Sequence, residues 1–319
     1  MWLDILIITL GFAGLIWGAD KFVAGASAVA LNFGVAPLMI GLTIVAFGTS
    51  APEFFSSAVA AIEDQPELAI GNAIGSNIFN IGIALGIATI IRPLTPPASL
   101  LHQELPALML VTVVSGLLFA DLYLGLVDSV VLIALLAFIA YRLFRTKTSA
   151  LTSADDEIAD LEIPAITNWR ATAYLFFGLL LLIAGAEALV TGASSAATRM
   201  GVSSSIIGLT IVAMGTSLPE LASTVAAVLR GHHDLAIGNI VGSNILNLLV
   251  VLPFPGLLAA GVIEPAMLSR DYTAMLLMTL ALCGVCFWTI KSGKTIGRFF
   301  GVCFLLMYGG WFLTMYRQL

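Results

Sequence analysis

Long runs of hydrophobic residues, separated by short polar or proline-containing breaks, cover almost the whole chain. An α-helix rises about 1.5 Å per residue, so about 20 apolar residues cross the hydrocarbon layer of a membrane. Runs of this kind predict ten membrane helices. They cover residues 3–30, 37–62, 68–91, 104–121, 125–144, 169–197, 204–229, 235–260, 271–290 and 296–315.

The composition supports the same class. Hydrophobic residues make up 60% of the 319 residues, charged residues only 10%, and the mean hydropathy is +1.05. A soluble domain is typically about 25% charged. We therefore predict an all-α integral membrane protein whose surroundings are the lipid bilayer. The pI near 5.0 and the lack of a basic stripe argue against nucleic acid as a partner. No obligate protein partner is indicated.

One block of sequence occurs twice, at an offset of 167 residues. The segment GLTIVAFGTSAPE at 41–53 returns as GLTIVAMGTSLPE at 208–220, and GNAIGSNIFN at 71–80 returns as GNIVGSNILN at 238–247. Between 34–80 and 201–247, 26 of 47 positions are identical, which indicates a duplication. The similarity extends to earlier residues and aligns Asp20 with Glu187. We interpret that pair as anchors near helix ends.

The duplication predicts two repeats of five helices each. Because five is odd, the second repeat enters the membrane from the opposite face, and inverted repeats are typical of secondary transporters with a midplane substrate site. The predicted units are residues 1–145 with a core at 37–91, an acidic cytoplasmic linker at 146–168, and residues 169–319 with a core at 204–260.

The basic residues predict the orientation. With the N-terminus outside, nine basic residues fall in cytoplasmic connections: Arg92, Arg142, Arg145, Lys147, Arg170, Arg230, Lys291, Lys294 and Arg298. Only Arg199, Arg270 and Arg317 then lie outside, and Lys21 is ambiguous. Basic residues favour the cytoplasmic side. We therefore expect a multi-pass protein of the cell (inner or plasma) membrane with both termini outside.

Each copy of the block places a glutamate directly after a proline in an apolar stretch. Proline removes a backbone hydrogen bond and breaks a helix, so Pro52 and Pro219 interrupt helices at membrane depth. Such a break is tolerated only where it faces protein, water or an ion. An ionisable group inside the membrane is costly, so Glu53 and Glu220 indicate a functional site.

Hydroxyl and amide side chains surround these glutamates in the sequence. They are Thr49, Ser50, Ser76, Asn77, Asn80, Thr216, Ser217, Ser243, Asn244 and Asn247. This set consists of hard oxygen donors, which suit Na⁺ or Ca²⁺ better than a soft metal. The alternative for each of these polar residues is a hydrogen bond that only holds two membrane helices together.

The paired GTSxPE and GSNxxN motifs resemble the α-repeats of the calcium/cation antiporter superfamily, the sodium/calcium exchangers, and the whole chain resembles its compact prokaryotic members. The resemblance implies ten helices, with the repeats packed face to face, and exchange of several Na⁺ for one Ca²⁺ by alternating access. It implies a transporter without cofactors, not an enzyme. The implied ion ligands are Glu53, Glu220, the side chains of Thr49, Ser50, Thr216, Ser217, Ser76, Asn80, Ser243 and Asn247, and the backbone carbonyls of Ala46 and Ala213.

Two departures from related patterns bear on ion choice. Several relatives, including K⁺-dependent ones, carry an aspartate at the position of Asn247, whereas both repeats here carry asparagine. Two formal negative charges instead of three put K⁺ dependence in doubt. The proton-coupled branch tends to place a glutamate where this chain has Gly75 and Gly242. An H⁺-coupled antiporter on the same fold is still the nearest alternative.

Two other classes use similar residues. A cation channel can line a pore with the same oxygens, but it needs no strong central site and no duplicated helix break. An intramembrane metalloenzyme can use Glu53 and Glu220 as an acid–base pair, but no histidine, cysteine or third carboxylate joins them in the duplicated GTSxPE and GSNxxN motifs to hold a metal. The sequence favours an antiporter over both.

Overall fold

The computed structural model describes residues 2–148, 166–201 and 213–317, and these are helical almost throughout. The helices are α1 (Trp2–Phe33), α2 (Pro37–Thr49), α3 (Ala51–Ile62), α4 (Pro66–Ile91), α5 (Ala98–Asp121), α6 (Leu126–Thr148), α7 (Asn168–Arg199), α8 (Leu218–Leu229), α9 (His233–Leu258), α10 (Met267–Ser292) and α11 (Arg298–Tyr316). A helical turn, Ala213–Gly215, precedes α8. One short antiparallel pair joins β1 (Tyr123–Leu124) to β2 (Gly261–Val262).

Within these ranges, seven helices are long and apolar enough to cross a membrane, or eight if α2 and α3 form one bent span. The helices overlap the predicted intervals along the described chain. Residues 204–212 of the seventh predicted helix and residues 149–165 of the predicted linker lie outside the described residues. The chain is therefore a helical, multi-pass membrane protein, and the full count of ten spans stays a prediction.

Helices α4 and α9 form the interior of the molecule. In their most apolar windows, 72% of α4 and 89% of α9 is buried, against 28% of α1 and 22% of α7. Glycines allow α2 to approach α9 closely. A Cβ atom at Gly41 would lie 2.8 Å from the carbonyl oxygen of Leu235, and one at Gly242 would lie 2.6 Å from that of Leu42. Elements of the two repeats therefore meet at the centre.

Helices α1 and α7 pack along each other as an antiparallel pair. Glycines recur every seven residues on both helices, at Gly11, Gly18, Gly25, Gly178, Gly185 and Gly192. A Cβ atom at Gly18 would lie 2.5 Å from the backbone nitrogen of Leu182, and one at Gly178 would lie 2.4 Å from that of Phe22. Small residues let membrane helices approach to backbone contact. This pair forms the largest helix–helix contact in the described chain.

Candidate cation site

Both predicted helix breaks occur at a serine. Helix α2 ends at Thr49, and the next residue, Ser50, has φ and ψ angles of −80° and 4°. Ser217 before Pro219 has nearly the same angles, −89° and 4°. Each proline then occupies the first turn of a new helix, where its missing N–H costs little. Helices α2 and α3 meet at 45°, which confirms the predicted bend at Pro52.

The break places each glutamate in the first turn of a helix. Glu53 lies at the start of α3 and Glu220 at the start of α8, and both are fully buried. A helix N-terminus carries a partial positive charge, which favours a carboxylate there. Among the described residues, no lysine or arginine lies within ion-pairing distance of either glutamate.

Serines hold the two carboxylates across the repeat boundary. The Ser217 hydroxyl donates to Oε1 of Glu53 at 2.8 Å, and the Ser50 hydroxyl donates to Oε1 of Glu220 at 2.8 Å. Each glutamate therefore depends on the other repeat for its position. Two separate halves, each with its own glutamate and serine, cannot form these contacts.

Serines from α4 and α9 complete the same two clusters. Ser76 lies 3.3 Å from Oε1 of Glu53 and 3.0 Å from the Ser217 hydroxyl. Ser243 lies 3.4 Å from Oε1 of Glu220 and 3.0 Å from the Ser50 hydroxyl. The structure thus brings these six predicted residues together in two matching groups of three.

The predicted threonines contact a pair of asparagines, Asn72 and Asn239, which are not among the predicted ligands. Thr49 donates to Oδ1 of Asn239 at 3.1 Å, and Thr216 donates to Oδ1 of Asn72 at 3.4 Å. The Asn72 amide also donates to the backbone carbonyl of Glu53 at 3.3 Å. Asn72 and Asn239 follow the first glycine of the duplicated GNxxGSN motif, at the same 167-residue offset. That repetition is the sequence feature from which these two asparagines could have been predicted as site residues.

The predicted Asn80 and Asn247 each begin a π-helical turn. Their amide nitrogens donate in a crossed pattern, Asn80 to Oδ1 of Asn244 and Asn247 to Oδ1 of Asn77, both at 3.1 Å. These bonds engage the amide nitrogens of Asn80 and Asn247. The side-chain oxygens of the same two residues accept no hydrogen bond from a described residue.

At the candidate site, four buried oxygens accept no hydrogen bond from any described residue. They are Oε2 of Glu53, Oε2 of Glu220, Oδ1 of Asn80 and Oδ1 of Asn247. A buried acceptor without a partner costs free energy, about 1–3 kcal/mol for a neutral group and more for a charged one. The four atoms form two pairs related by the repeat, and their chemistry is that of ligands for a hard cation.

The two predicted carbonyl ligands are described less completely. The Ala46 carbonyl accepts the Ser50 N–H at 3.0 Å and lies 3.4 Å from the Thr49 hydroxyl. Ala213 is the first residue of the turn Ala213–Gly215. No group of three or more histidine, cysteine, aspartate or glutamate side chains suited to a metal occurs in the described part of the chain. The candidate site therefore consists mainly of neutral oxygens around two carboxylates.

Known proteins match this chain along most of its length. A family model described as "Sodium/calcium exchanger protein" matches residues 3–145 and 170–317. The protein CaxA of Alkalimonas amylolytica is 41% identical over 308 residues, covering 95% of each chain. The sodium/calcium exchanger MaX1 of Methanosarcina acetivorans is 29% identical, covering 98% of each chain.

Solved structures of the sodium-calcium exchanger NCX_Mj share the fold. The form soaked with Na⁺ and Ca²⁺ superimposes with a TM-score of 0.81 at 31% identity and covers 96% of each chain. The form soaked without either ion gives 0.83 at 30% identity and covers 98% of this chain and 99% of that chain. Members of this family are transporters and not enzymes. This chain belongs to the sodium/calcium exchanger family, whose members are membrane cation antiporters.

Proposed function

We propose that this protein exchanges Na⁺ for Ca²⁺ at the site formed by Glu53 and Glu220. The four buried oxygens without partners carry the proposal, because two carboxylates and two amides supply the charge and the hard donors that Ca²⁺ needs. The serine and threonine hydroxyls around them supply further oxygens for Na⁺. The relatives MaX1 and NCX_Mj, both named sodium/calcium exchangers, support the same ions.

Competition for one set of oxygens explains the coupling. A Ca²⁺ ion bound between Glu53 and Glu220 uses the oxygens that a full set of Na⁺ ions also needs. An empty site leaves two fully buried carboxylates without a described counter-charge, which desolvation and like-charge repulsion disfavour. The protein therefore changes its access only with ions bound, and exchange is obligatory.

Alternating access is assigned to the α1–α7 pair. The two helices contact each other backbone to backbone at the seven-residue glycine repeat, whereas α4 and α9 stay in the interior. A tightly packed peripheral pair is able to slide as one body across a fixed core. Such a movement opens the site to one face and then to the other.

The finer topology is part of the same proposal. Ten spans in two inverted repeats would place α2–α4 and α8–α9 around a common site, and the crossed serine contacts support this topology. Residues 1–145 and 169–319 form the repeats, and 146–168 connects them in the cytoplasm. The proposed location is the cell membrane, with both termini outside.

Proton coupling is the second candidate. It rests on one observation: both glutamates are fully buried without a described cation nearby. Protons neutralise such groups as effectively as Na⁺ does. The same fold and the same residues then exchange H⁺ for Ca²⁺.

Uptake of ⁴⁵Ca²⁺ into proteoliposomes distinguishes the two candidates. Vesicles loaded with Na⁺ are diluted into Na⁺-free medium, with Na⁺-equilibrated vesicles and vesicles carrying a pH gradient as controls. We expect uptake only with the outward Na⁺ gradient. Uptake driven by the pH gradient alone would favour H⁺ coupling, and no uptake under either gradient would refute Ca²⁺ as the substrate.

A further inference from the structure

The α1–α7 pair carries two equivalent acidic residues in different surroundings. Asp20 on α1 accepts hydrogen bonds from Nε of Arg230 at 3.0 Å and from its Nη2, and Nζ of Lys21 lies 3.6 Å from its other oxygen. Glu187 on α7 occupies the position 167 residues later and is exposed. Among the described residues, no cation lies within ion-pairing distance of Glu187.

Glu187 lies beside an opening toward the candidate cation site. It lines a cavity of about 80 Å³ together with Pro52, Val190, Thr216 and neighbouring residues. Thr216 contacts Asn72 of the site and is half-buried, whereas its equivalent Thr49 is fully buried. Within the described ranges, the site is therefore more open beside Thr216 than beside Thr49.

Both helices of the α1–α7 pair close the equivalent path. A Cβ atom at Gly48, the neighbour of Thr49, would lie 3.1 Å from Leu179 of α7 and 3.3 Å from the fully buried ring of Phe22 of α1. Farther along α1, the Ser27 hydroxyl lies 2.9 Å from Nδ1 of His232 in the turn between α8 and α9. Burial lowers the pKa of His232 to about 4, so this contact is neutral at physiological pH.

The same turn supplies Arg230, so α1 is held to it at two points. At the opposite end of the pair, Asp4 of α1 pairs with Arg199 of α7. We call the two membrane faces the Arg230 face and the Arg199 face. In this structure the path toward the Arg230 face is closed by the α1–α7 pair, and, among the described residues, the path beside Glu187 is the more open one.

The residues equivalent to the Asp20–Arg230 pair cannot form an ion pair in the alternate state. The position equivalent to Arg230, 167 residues earlier, is Glu63 in the turn between α3 and α4. Alternating access in inverted-repeat transporters is largely a rigid-body movement of one bundle against the other around a fixed site. We infer that the alternate state is the one in which the two repeats exchange their arrangements. In the present state Asp20 meets Arg230, an opposite charge. In the alternate state the equivalent residue Glu187 therefore approaches Glu63, a like charge. Closure at the Arg199 face lacks the attraction that exists at the Arg230 face.

Building on the proposed function, we propose that the Asp20–Arg230 ion pair is a latch that closes the path to the Arg230 face, and that its unlatched counterpart Glu187 captures cations entering from the Arg199 face. The latch biases the transporter toward the state seen here. Because Asp20 and Arg230 are partly exposed, their contribution is modest, and we expect its loss to change the ratio of the two states about two- to fivefold.

Cysteine accessibility tests the latch without requiring transport. In a protein whose native Cys283, Cys286 and Cys303 are replaced, Val23→Cys and Val190→Cys report the two paths. These positions are equivalent in the repeats, but Val23 is 1% exposed and Val190 is half-buried. A membrane-impermeant thiol reagent should label Val190→Cys quickly and Val23→Cys slowly.

Arg230→Gln should raise the labelling rate of Val23→Cys about two- to fivefold and lower that of Val190→Cys. Glu63→Arg should shift both rates the same way, because it gives Glu187 a partner. The exchange of charges in Asp20→Arg with Arg230→Asp should restore the original rates. Arg92→Gln, which removes a cation beside Gly231 but none from Asp20, is the control and should change neither rate.

Sided ⁴⁵Ca²⁺ flux tests the role of Glu187. Glu187→Gln should raise the KM for Ca²⁺ at the Arg199 face about two- to fivefold and leave the maximal rate and the opposite face unchanged. An unchanged KM would refute cation capture. Unchanged labelling of Val23→Cys in both Arg230→Gln and Glu63→Arg would refute the latch. If the unmodified protein moves no Ca²⁺, the proposed function fails, whereas the labelling rates still decide the latch.

Discussion

Glu53 and Glu220 supply the formal charge of the candidate site, and each interacts with a serine of the other repeat. Glu53→Gln or Glu220→Gln removes one charge with little change in shape. We expect either variant to abolish Na⁺-driven Ca²⁺ uptake. Folding should persist, because the substitution removes a buried charge, and the Tm in ion-free detergent solution should be unchanged or higher.

The matched control is Glu67→Gln, the same chemical change at an exposed position in the first turn of α4. It should leave uptake and Tm unchanged. Full Ca²⁺ uptake by both Glu53→Gln and Glu220→Gln would contradict the assignment of the site.

Asn247 presents a buried oxygen without a partner, and its nitrogen is held by Asn77. Asn247→Asp adds a third negative charge at that oxygen. We expect transport to continue with altered dependence on Na⁺, K⁺ and Ca²⁺, since a more negative site favours cations differently. Asn80→Asp, the equivalent change in the other repeat, should act in the same direction. An unaltered ion dependence in both variants would show that these amides only hold the helices.

Most residues of the candidate site were predictable because duplication marks them. Serine, threonine and glutamate stand out in an apolar sequence, and repetition at a fixed offset separates them from chance. Asn72 and Asn239 share that offset, but the sequence does not show that they bind the threonines across the repeat boundary. Each threonine contacts an asparagine of the other repeat only because the two repeats pack together, and no short stretch of sequence indicates this.

Among the elements, the α1–α7 pair is the one whose packing is most constrained. Gly18→Ala places a Cβ atom 2.5 Å from the backbone of Leu182, so the helices must separate. Overpacking of this kind costs about 1–3 kcal/mol. We expect a lower Tm in detergent and slower exchange. Gly284→Ala is the control, because its Cβ atom meets nothing within 4 Å. Equal Tm values for the two variants would contradict the close contact.

The helices themselves were predictable from hydrophobic run length, and the bend between α2 and α3 from Pro52. The seven-residue glycine repeat is also visible in the sequence. The helix that packs against it is not visible in the sequence, because a glycine repeat indicates close packing but does not indicate which helix is the partner. The choice of α7 follows only from the three-dimensional arrangement of the repeats.

For the whole molecule, the proposed ten spans require both termini on the same face. Seven or eight spans are evident in the described residues, and an odd total would place the termini on opposite faces. Reporter fusions that are active on only one side of the membrane measure this directly. We expect N-terminal and C-terminal fusions to report the outside. Opposite reports would contradict the inverted five-helix repeats.

The central claim is that Na⁺ and Ca²⁺ compete for one set of oxygens around Glu53 and Glu220. Equilibrium binding of ⁴⁵Ca²⁺ to the purified protein, titrated with Na⁺ at constant ionic strength, tests it most directly. We expect Na⁺ to displace all bound Ca²⁺ with a Hill coefficient above one, and Glu220→Gln to bind no Ca²⁺. Ca²⁺ that stays bound at saturating Na⁺ would contradict the account.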